Sequence, residues 1–333
     1  MVHRRKAMTR RRTYSHLSQL GRKPSDYDIA TSNLLYYLPR GFEIQSPLSD
    51  WYAKYQVGSR FQCKDWEAFR DPSETTYAKY TERQKNKEVF VEGLLRAADG
   101  EYDARLTSHW ITVLDRVFAP MMFPVHGLQM VASYVGSMAP SGRIVVACAL
   151  QAADEIRRIQ RIAYRVRQLQ SVHAGFGERA KSIWLTDVMW QPLRKVVERL
   201  LVTYDWGEAF VALNLVVKPI FDDFVTKQLG EAAMSFKDDV LSRMLFSLGE
   251  DCAWHRAWST SLVSTVTKSA PEVESVVAEW MDQWRPSAQA AVYAFAPIVS
   301  SVVANGGSAE LQSDVGPSST SSGIYDSRGS RVS

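Results

Sequence analysis

Six histidines are the residues on which a metal site in this sequence would depend. A two-metal site inside a helical bundle takes a Glu from each of two helices and a Glu-x-x-His pair from each of two others. Residues three apart lie on one helix face, so a carboxylate and an imidazole at that spacing can share a metal ion. His3 stands too close to the start. The residues three positions before His16, His109, His126, His173 and His255 are Thr13, Leu106, Phe123, Gln170 and Cys252. None is acidic, so the sequence predicts that this chain binds no metal.

The nearest approach to the metal-binding motif is formed by Glu155 and Arg158, where arginine stands at the histidine place. Arginine stays charged and cannot ligate a metal, but it could pair with Glu155 across one helical turn. That pair would fill a former metal site with charge. The alternative is that both are ordinary charges on a solvated helix face. Glu208 is a further candidate remnant of a ligand.

Other catalytic or cofactor-binding patterns are absent. The sequence contains no G-x-S-x-G element, no P-loop and no dinucleotide fingerprint, so we predict no catalytic and no cofactor-binding residues. A basic run near the start could bind phosphate, which leaves a stand-alone helical nucleic-acid-binding protein as an alternative function. A solvated, disordered arm explains the same run, whose members are Arg4, Arg5, Lys6, Arg10, Arg11 and Arg12.

The spacing of apolar residues predicts an all-α chain. A clear stripe with spacings of three and four runs along 145–172, through Ala149, Ala152, Ile156, Ile159, Ala163, Val166 and Leu169. The other face of that helix carries Arg157, Arg158, Arg161, Arg165 and Arg167. A second stripe covers 210–224, and Pro219 is expected to kink or divide it.

Further helices are predicted at 77–98, 105–118, 128–138, 179–203, 231–248, 252–268 and 271–284. Pro120 and Pro124 are expected to stop the second of these, because proline cannot continue a helix interior. The domain organisation predicted from composition has four parts. These are a basic arm at 1–30, an aromatic-rich irregular segment at 31–80, a helical domain at 81–300 and a disordered Ser/Gly-rich tail at 301–333.

The cysteines and the hydropathy indicate a cytoplasmic protein. Cys63, Cys148 and Cys252 are odd in number and form no C-x-x-C pair, which favours a reducing compartment. The longest apolar stretch, near 290–304, is interrupted by Pro297 and is too short for a membrane span. No membrane association is therefore expected.

Two stretches carry a resemblance to a known family. One runs from Lys23 to about Leu95 and includes the sequence DWEAFRDP at 65–72; the other is DWGEAFVALNLVVKP at 205–219. Both resemble the beta subunits of toluene, alkene and isoprene monooxygenases, and the likeness covers roughly residues 13–300. The fifteen residues at 205–219 are its most specific part.

The resemblance implies a ferritin-like helical bundle with an extended N-terminal arm. It also implies a hydroxylase of alpha, beta and gamma subunits, usually α2β2γ2, in which the alpha subunit holds a di-iron site and oxidises an aromatic or alkene hydrocarbon with O2. Electrons would come from NADH through a reductase with FAD and a [2Fe-2S] cluster and then a Rieske [2Fe-2S] ferredoxin. An effector protein would regulate the hydroxylase. This chain would be its non-catalytic beta subunit, without a cofactor of its own.

The aromatic-rich segment supplies the candidate subunit contacts. Large aromatics and arginine are the usual anchors of tight interfaces, and they are concentrated here. The six residues that we predict to contact a partner are Trp51, Tyr52, Tyr55, Trp66, Phe69 and Arg70. The alternative is that they pack within this chain.

Overall fold

The computed structural model describes residues 17–18, 20–32, 46–98 and 100–298, and all regular secondary structure in these ranges is helical. The α-helices are α1 Asp26–Thr31, α2 Pro47–Tyr52, α3 Tyr77–Ala97, α4 Gly100–Ala104, α5 Ser108–Val113, α6 Met122–Met138, α7 Gly142–Val172, α8 Ala180–Thr186, α9 Gln191–Leu201, α10 Trp206–Phe210, α11 Lys218–Asp222, α12 Leu229–Ser235, α13 Asp239–Ser269 and α14 Val273–Tyr293. The all-α prediction is confirmed. No helix within these ranges combines the length and apolar character needed to cross a bilayer.

The prolines after residue 118 do not end the helix there, contrary to expectation. From α5 the chain continues through a π segment at Leu114–Phe118 and a 3-10 segment at Ala119–Met121 into α6. Pro120 and Pro124 both lie in the first turn of their segments, where a missing backbone N–H costs little. This correction makes α6 longer than predicted.

Residues 206–235 form a second run that changes helix type without stopping. The order is α10, a π segment at Val211–Val217, α11, a π segment at Asp223–Gln228, and α12. Pro219 is the second residue of α11 and marks the change from π to α geometry. The helix therefore changes type near Pro219, but the helical run is not interrupted there.

Three other predicted boundaries are corrected. The helix predicted at 179–203 is two helices, α8 and α9, separated by the turn at 187–190. The helix predicted to begin at 252 is the second half of α13, which spans 31 residues. The last predicted helix, α14, continues past Pro286 to Tyr293.

The core lies between α6, α7, the 206–235 run and α13, with α9 and α14 packed against them. Five of the ten tryptophans are fully buried: Trp110, Trp190, Trp206, Trp258 and Trp284. Each buried indole removes a large apolar area from water. Half of the tryptophans of this chain therefore pack in its own core.

The orientation of α7 differs from the one its apolar stripe predicted. Ala149, Ile156 and Ala163 of that stripe lie on the outer surface, while Arg158 and Arg165 are buried. Other members of the stripe, such as Leu169, do face inward. The reason is that carboxylates on neighbouring helices pair with the arginines, so the charged face is the one that packs.

The last residues of the basic arm belong to the helical body. Tyr27 and Asp28 of α1 are buried, and Asp28 accepts hydrogen bonds from Arg22 and Arg70. The basic run at 4–12 and the predicted tail at 301–333 lie outside the described residues.

Candidate functional site

A cluster of polar and charged side chains is buried where α7, α11 and α13 pack together. It consists of Glu155 and Arg158 from α7, Lys218 and Asp222 from α11, and Cys252 and His255 from α13, none more than 3% exposed. Two of these helices are 31 residues long and begin at side-chain caps, supplied by Ser141 and Asp238. The cluster lies far inside these helices, where the backbone is rigid.

Two cations bridge the two carboxylates at the centre of the cluster. The Lys218 ammonium donates to Glu155 and lies 3.2 Å from Asp222 Oδ2. The Arg158 guanidinium lies 2.8 Å from Asp222 Oδ1 and 3.4 Å from Glu155 Oε2. Each carboxylate therefore faces both cations, and the four formal charges cancel.

The side chains from α13 complete the cluster. Cys252 and His255 are three apart on one helix face and stand at the two places of a Glu-x-x-His motif, with cysteine in the carboxylate place. The Arg158 guanidinium contacts the Cys252 sulfur. His255 Nδ1 lies 3.9 Å from Glu155 Oε1, and Nε2 lies 3.0 Å from Asp154 Oδ2.

The protonation states follow from burial and from the two cations. Burial by itself would raise the pKa of Asp222, but Lys218 and Arg158 outweigh it and hold that pKa well below its usual range. Burial would lower the pKa of Lys218, yet Asp222 and Glu155 keep it at about 12. Burial, helped by Lys218, lowers the pKa of His255 to about 3, so its imidazole is neutral.

A second polar layer packs against the first. Asp154 Oδ1 accepts hydrogen bonds from Tyr80 at 2.9 Å and from Gln84 at 2.7 Å, both on α3. Next to it, Asp251 lies 2.6 Å from Lys87 and 2.6 Å from Arg157. A buried charge is stable only when it is paired and hydrogen-bonded, and Lys87 and Arg157 pair with Asp251 in this way. Asp154 has hydrogen-bond partners instead.

The cluster does not fit a di-iron centre of the ferritin-like kind. Asp222, Cys252 and His255 do place one ligand atom each within 4.8 Å of one another. However, the Lys218 and Arg158 cations lie among the ligand atoms that a metal would need. Their positive charges would repel a metal cation placed there. Burial also raises the pKa of the Cys252 thiol far above its usual range, which opposes the thiolate that ligation requires.

The residues singled out from the sequence have different positions. Glu155 and Arg158 form a buried ion pair, which was one of the two alternatives. Neither residue lies on a solvated helix face. Glu208 does not join them. It lies in the first turn of α10 and accepts a hydrogen bond from Trp284 Nε1 at 3.0 Å. Fourteen residues separate it from Asp222, or about 20 Å along a helix.

Sequence reasoning missed Lys218, Asp222 and Cys252. The spacing of Lys218 and Asp222 (i, i+4) is a signal for a pair on one helix face. The spacing of Cys252 and His255 is that of the metal motif with a thiol in place of the carboxylate. Neither signal shows that the three helices meet, because that depends on packing between residues more than sixty positions apart.

Trp51 and Tyr52 of α2 contact α6, and Tyr55 lies in the π-helical segment Ala53–Val57 that follows α2. Trp51 Nε1 donates to the Tyr134 hydroxyl at 3.2 Å, and its ring packs against Tyr55. The Tyr52 hydroxyl donates to the Ser137 carbonyl at 2.8 Å. All three predicted aromatics are nevertheless partly exposed, so each retains some surface for a partner.

The other three predicted contact residues pack against other parts of this chain. Trp66 is partly buried and packs edge-on against Trp206. Arg70 is held by Asp28 at 2.6 Å. Phe69 is fully buried against Trp258 and offers no surface to another chain. The structure therefore removes Phe69 from the candidate contacts, because its ring is already part of this chain's core.

We expect the free energy of unfolding to fall between about pH 6.5 and pH 8. Burial, with the Asp251 charge beside it, raises the pKa of Asp154 to about 8 in the folded chain, against about 3.9 for an unfolded Asp. A raised folded pKa gives stability that is lost as pH rises through it. Below about pH 6.5 the lowered pKa of His255 acts in the opposite sense. Between these limits the loss is at most about 1.4 kcal/mol per pH unit.

Urea unfolding at pH 6.5 and pH 8 measures this dependence. Asp154→Asn removes the titrating group, so the free energy of unfolding of this variant should change little between pH 6.5 and pH 8. A wild-type chain that is equally insensitive would show that Asp154 is already ionised at pH 6.5.

Comparison with known proteins adds an independent line of argument. Residues 49–270 match the family model described as methane/phenol/alkene hydroxylase. The hydroxylase component subunit beta of the toluene-4-monooxygenase system of Ectopseudomonas mendocina is 35% identical over 291 residues, which cover 85% of this chain and 89% of that protein. A propane 2-monooxygenase hydroxylase component small subunit from Mycolicibacterium smegmatis is 26% identical over 240 residues, 69% of this chain and 64% of that protein.

Solved structures agree with the fold. A chain from the structure titled as toluene bound in the resting active site of toluene 4-monooxygenase superposes with a TM-score of 0.83 at 34% identity, covering 90% of this chain and 100% of that one. A phenol hydroxylase chain from Pseudomonas sp. OX1 gives 0.78 at 19% identity, with 94% and 98% covered, and supports the fold alone. These relatives give no support to a nucleic-acid-binding function. The family match over two thirds of the sequence, together with the bundle fold, shows that this chain belongs to the methane/phenol/alkene hydroxylase family.

Proposed function

We propose that this chain is the non-catalytic beta subunit of a multicomponent di-iron monooxygenase hydroxylase. The observation that carries the proposal is the pairing of Lys218 and Arg158 with Glu155 and Asp222, which places two cations among the buried side chains that could otherwise hold a metal. A chain with cations in that position keeps the fold and lacks the reactive centre. Its contribution is then to dock and support an iron-bearing alpha subunit.

The rest of the system follows from the family resemblance. We propose a cytoplasmic hydroxylase of alpha, beta and gamma subunits, in an α2β2γ2 arrangement, that oxidises an aromatic or alkene hydrocarbon with O2. The di-iron site belongs to the alpha subunit. Its electrons come from NADH through a reductase with FAD and [2Fe-2S] and a Rieske [2Fe-2S] ferredoxin, and an effector protein regulates it. The names of relatives as toluene and propane monooxygenase components support a heteromeric oxygenase.

Metal analysis combined with reconstitution tests this function. The purified chain should contain far less than one iron per molecule and should show no oxygen-dependent turnover by itself. Addition to its alpha and gamma subunits should restore hydrocarbon oxidation with NADH and the electron-transfer proteins. Stoichiometric iron in the isolated chain, or full activity of the other subunits without it, would contradict the proposal.

Trp66 provides a test of the aromatic-rich segment as a subunit contact. We expect Trp66→Ala to lower the recovery of the alpha–beta complex in co-purification, because an aromatic anchor contributes more than 1 kcal/mol to a typical interface. Circular dichroism provides the control, since Trp66 also packs on Trp206 within this chain. An unchanged yield of complex from a folded variant rejects Trp66 as an anchor.

A further inference from the structure

A surface groove lies between α13 and α14, beside the π segment at Val211–Val217. Leu215 and Pro219 line it from the helical run at 206–235, and Val277 and Met281 line it from α14. These two sides are mainly apolar. The groove has a volume of about 430 Å³, which is in the range of sites that bind small molecules.

The side of the groove on α13 is polar. Arg256, Thr260, Ser264 and Thr267 line it at successive spacings of four, four and three residues, which places them on one face of the helix. The row is about 16 Å long, because an α-helix rises 1.5 Å per residue. Among the described residues that line the groove, none is Asp or Glu. Its formal charge is therefore the single positive charge of Arg256.

Three of these polar side chains have donors to spare. A Ser or Thr hydroxyl inside a helix often donates to the carbonyl one turn earlier, as Thr267 does to Val263 at 3.0 Å. Within the described ranges, Thr260 and Ser264 make no such bond and Arg256 forms no ion pair. The row therefore offers one guanidinium and two hydroxyls to a ligand that accepts hydrogen bonds.

Asn214 contributes a further donor from the π segment. Its Oδ1 accepts a hydrogen bond from Nε2 of the fully buried Gln151 at 2.8 Å, which fixes the orientation of the amide. Its Nδ2 donates to no residue in the part of the chain that the structure describes, and it is not enclosed by protein atoms. The amide N–H groups are therefore available to the groove. Short π segments within α-helices are frequently found at functional sites.

The groove has a charged end and an apolar end. A turn at 270–272 joins α13 to α14, so the two helices run antiparallel. Val277 and Met281 therefore lie beside the C-terminal half of α13, near Val263, and away from Arg256. A ligand with an anionic group at one end of an extended apolar body matches both ends, because a carboxylate pairs with a guanidinium and an apolar chain is removed from water along the wall.

We propose that this groove binds an unbranched aliphatic carboxylate, the chemical class of the medium-chain fatty acids. The Arg256 guanidinium pairs with the carboxylate, and the Thr260 hydroxyl and the Asn214 amide donate to its oxygens. The alkyl chain lies along Val277 and Met281. A row about 16 Å long suits an extended chain better than a compact ring. The site does not depend on the proposed function, because all of its residues belong to this chain.

Calorimetric titration of the full-length chain with decanoate, below its micelle-forming concentration, tests the site. We expect saturable binding of one decanoate per chain. Arg256→Glu should weaken it about tenfold or more, because it places a carboxylate against the head group. Met281→Glu should do the same from the apolar end, since the alkyl chain would then bury a charge. The matched control is Arg243→Glu, an exposed arginine of α13 outside the groove, which should leave the Kd unchanged.

The head group is tested by two further ligands with the same alkyl chain. Decanol has no charge and should bind about tenfold more weakly than decanoate or worse. Decyltrimethylammonium has the opposite charge and should show no saturable binding. Thermal unfolding of the variants provides the folding control, and Arg256 is exposed, so its substitution should leave the fold intact.

The remaining outcomes overturn the proposal. Absence of saturable decanoate binding to the wild type does so, as does equal affinity of the wild type and folded Arg256→Glu. An equal loss in Arg243→Glu would show attraction by net charge alone, and equal binding of decanol would show an apolar surface without a carboxylate site. A wild-type chain that binds no decanoate but dimerises in light scattering, with a monomeric Met281→Glu variant, would assign the groove to a second copy.

Discussion

Replacing Lys218 with methionine is expected to lower the free energy of unfolding by about 3–5 kcal/mol. Methionine is similar in length but leaves Glu155 and Asp222 facing the single cation of Arg158. Both carboxylates are at most 1% exposed, so water cannot replace the lost partner. The melting temperature should fall by roughly 10 °C for a chain of this size.

Two further variants separate this effect from a simple loss of lysine. Lys227→Met changes an exposed lysine in the same helical run and should alter stability by no more than about 0.5 kcal/mol. The double variant Lys218→Met/Glu155→Gln removes one charge of each sign, so it should be more stable than Lys218→Met alone. Urea denaturation measures all three. Equal stability of the Lys218 and Lys227 variants would show that the cluster does not depend on charge balance.

The second large effect is a gain of metal binding when both central cations are removed. In the double variant Arg158→His/Lys218→Ala, position 158 supplies an imidazole three residues after Glu155. Asp222, Cys252 and His255 already place ligand atoms within 4.8 Å of one another. Two carboxylates without their cations repel each other, and a divalent ion removes that repulsion while replacing the lost charge. The variant should therefore bind a metal that the wild type does not.

Cobalt(II) is a suitable probe because a cysteine ligand gives it a thiolate charge-transfer band. Adding Co2+ at about 100 times its Kd should stabilise the variant by about 2.7 kcal/mol and leave the wild type unchanged. Adding Cys252→Ser to the variant should abolish the band, which assigns it to that thiol. Absence of both the band and the stabilisation would mean that the three helices cannot supply a metal site even without the cations.

The buried cluster shows how cationic side chains can neutralise buried carboxylates and link the helices of a bundle. A metal pair held by four helices neutralises carboxylates and links the helices together. Here Lys218 and Arg158 perform both tasks, since each contacts side chains from two or more helices. The second layer extends the same principle to Asp251. Ion pairs of this kind are costly to desolvate, and they contribute most by making one arrangement of helices much better than the alternatives.

The sequence by itself determined the helical class, the family and the absence of a Glu-x-x-His motif. Each of these depends on local information: the period of apolar residues, the fifteen residues at 205–219, and the residue three positions before each histidine. The pairing of Glu155 with Arg158 could also be proposed from the sequence, because both residues lie on one turn of one helix.

Only the tertiary structure decided which face of α7 is buried. Arg158 pairs with Asp222 across 64 residues, Arg157 with Asp251 across 94, and Arg165 with Asp103 across 62. The apolar stripe predicted that Ile156 faces the core. Periodicity considers each side chain by itself and takes no account of the distant residues that pair with it. A charged face can be buried when distant carboxylates neutralise it, and the uncharged face is then left on the surface.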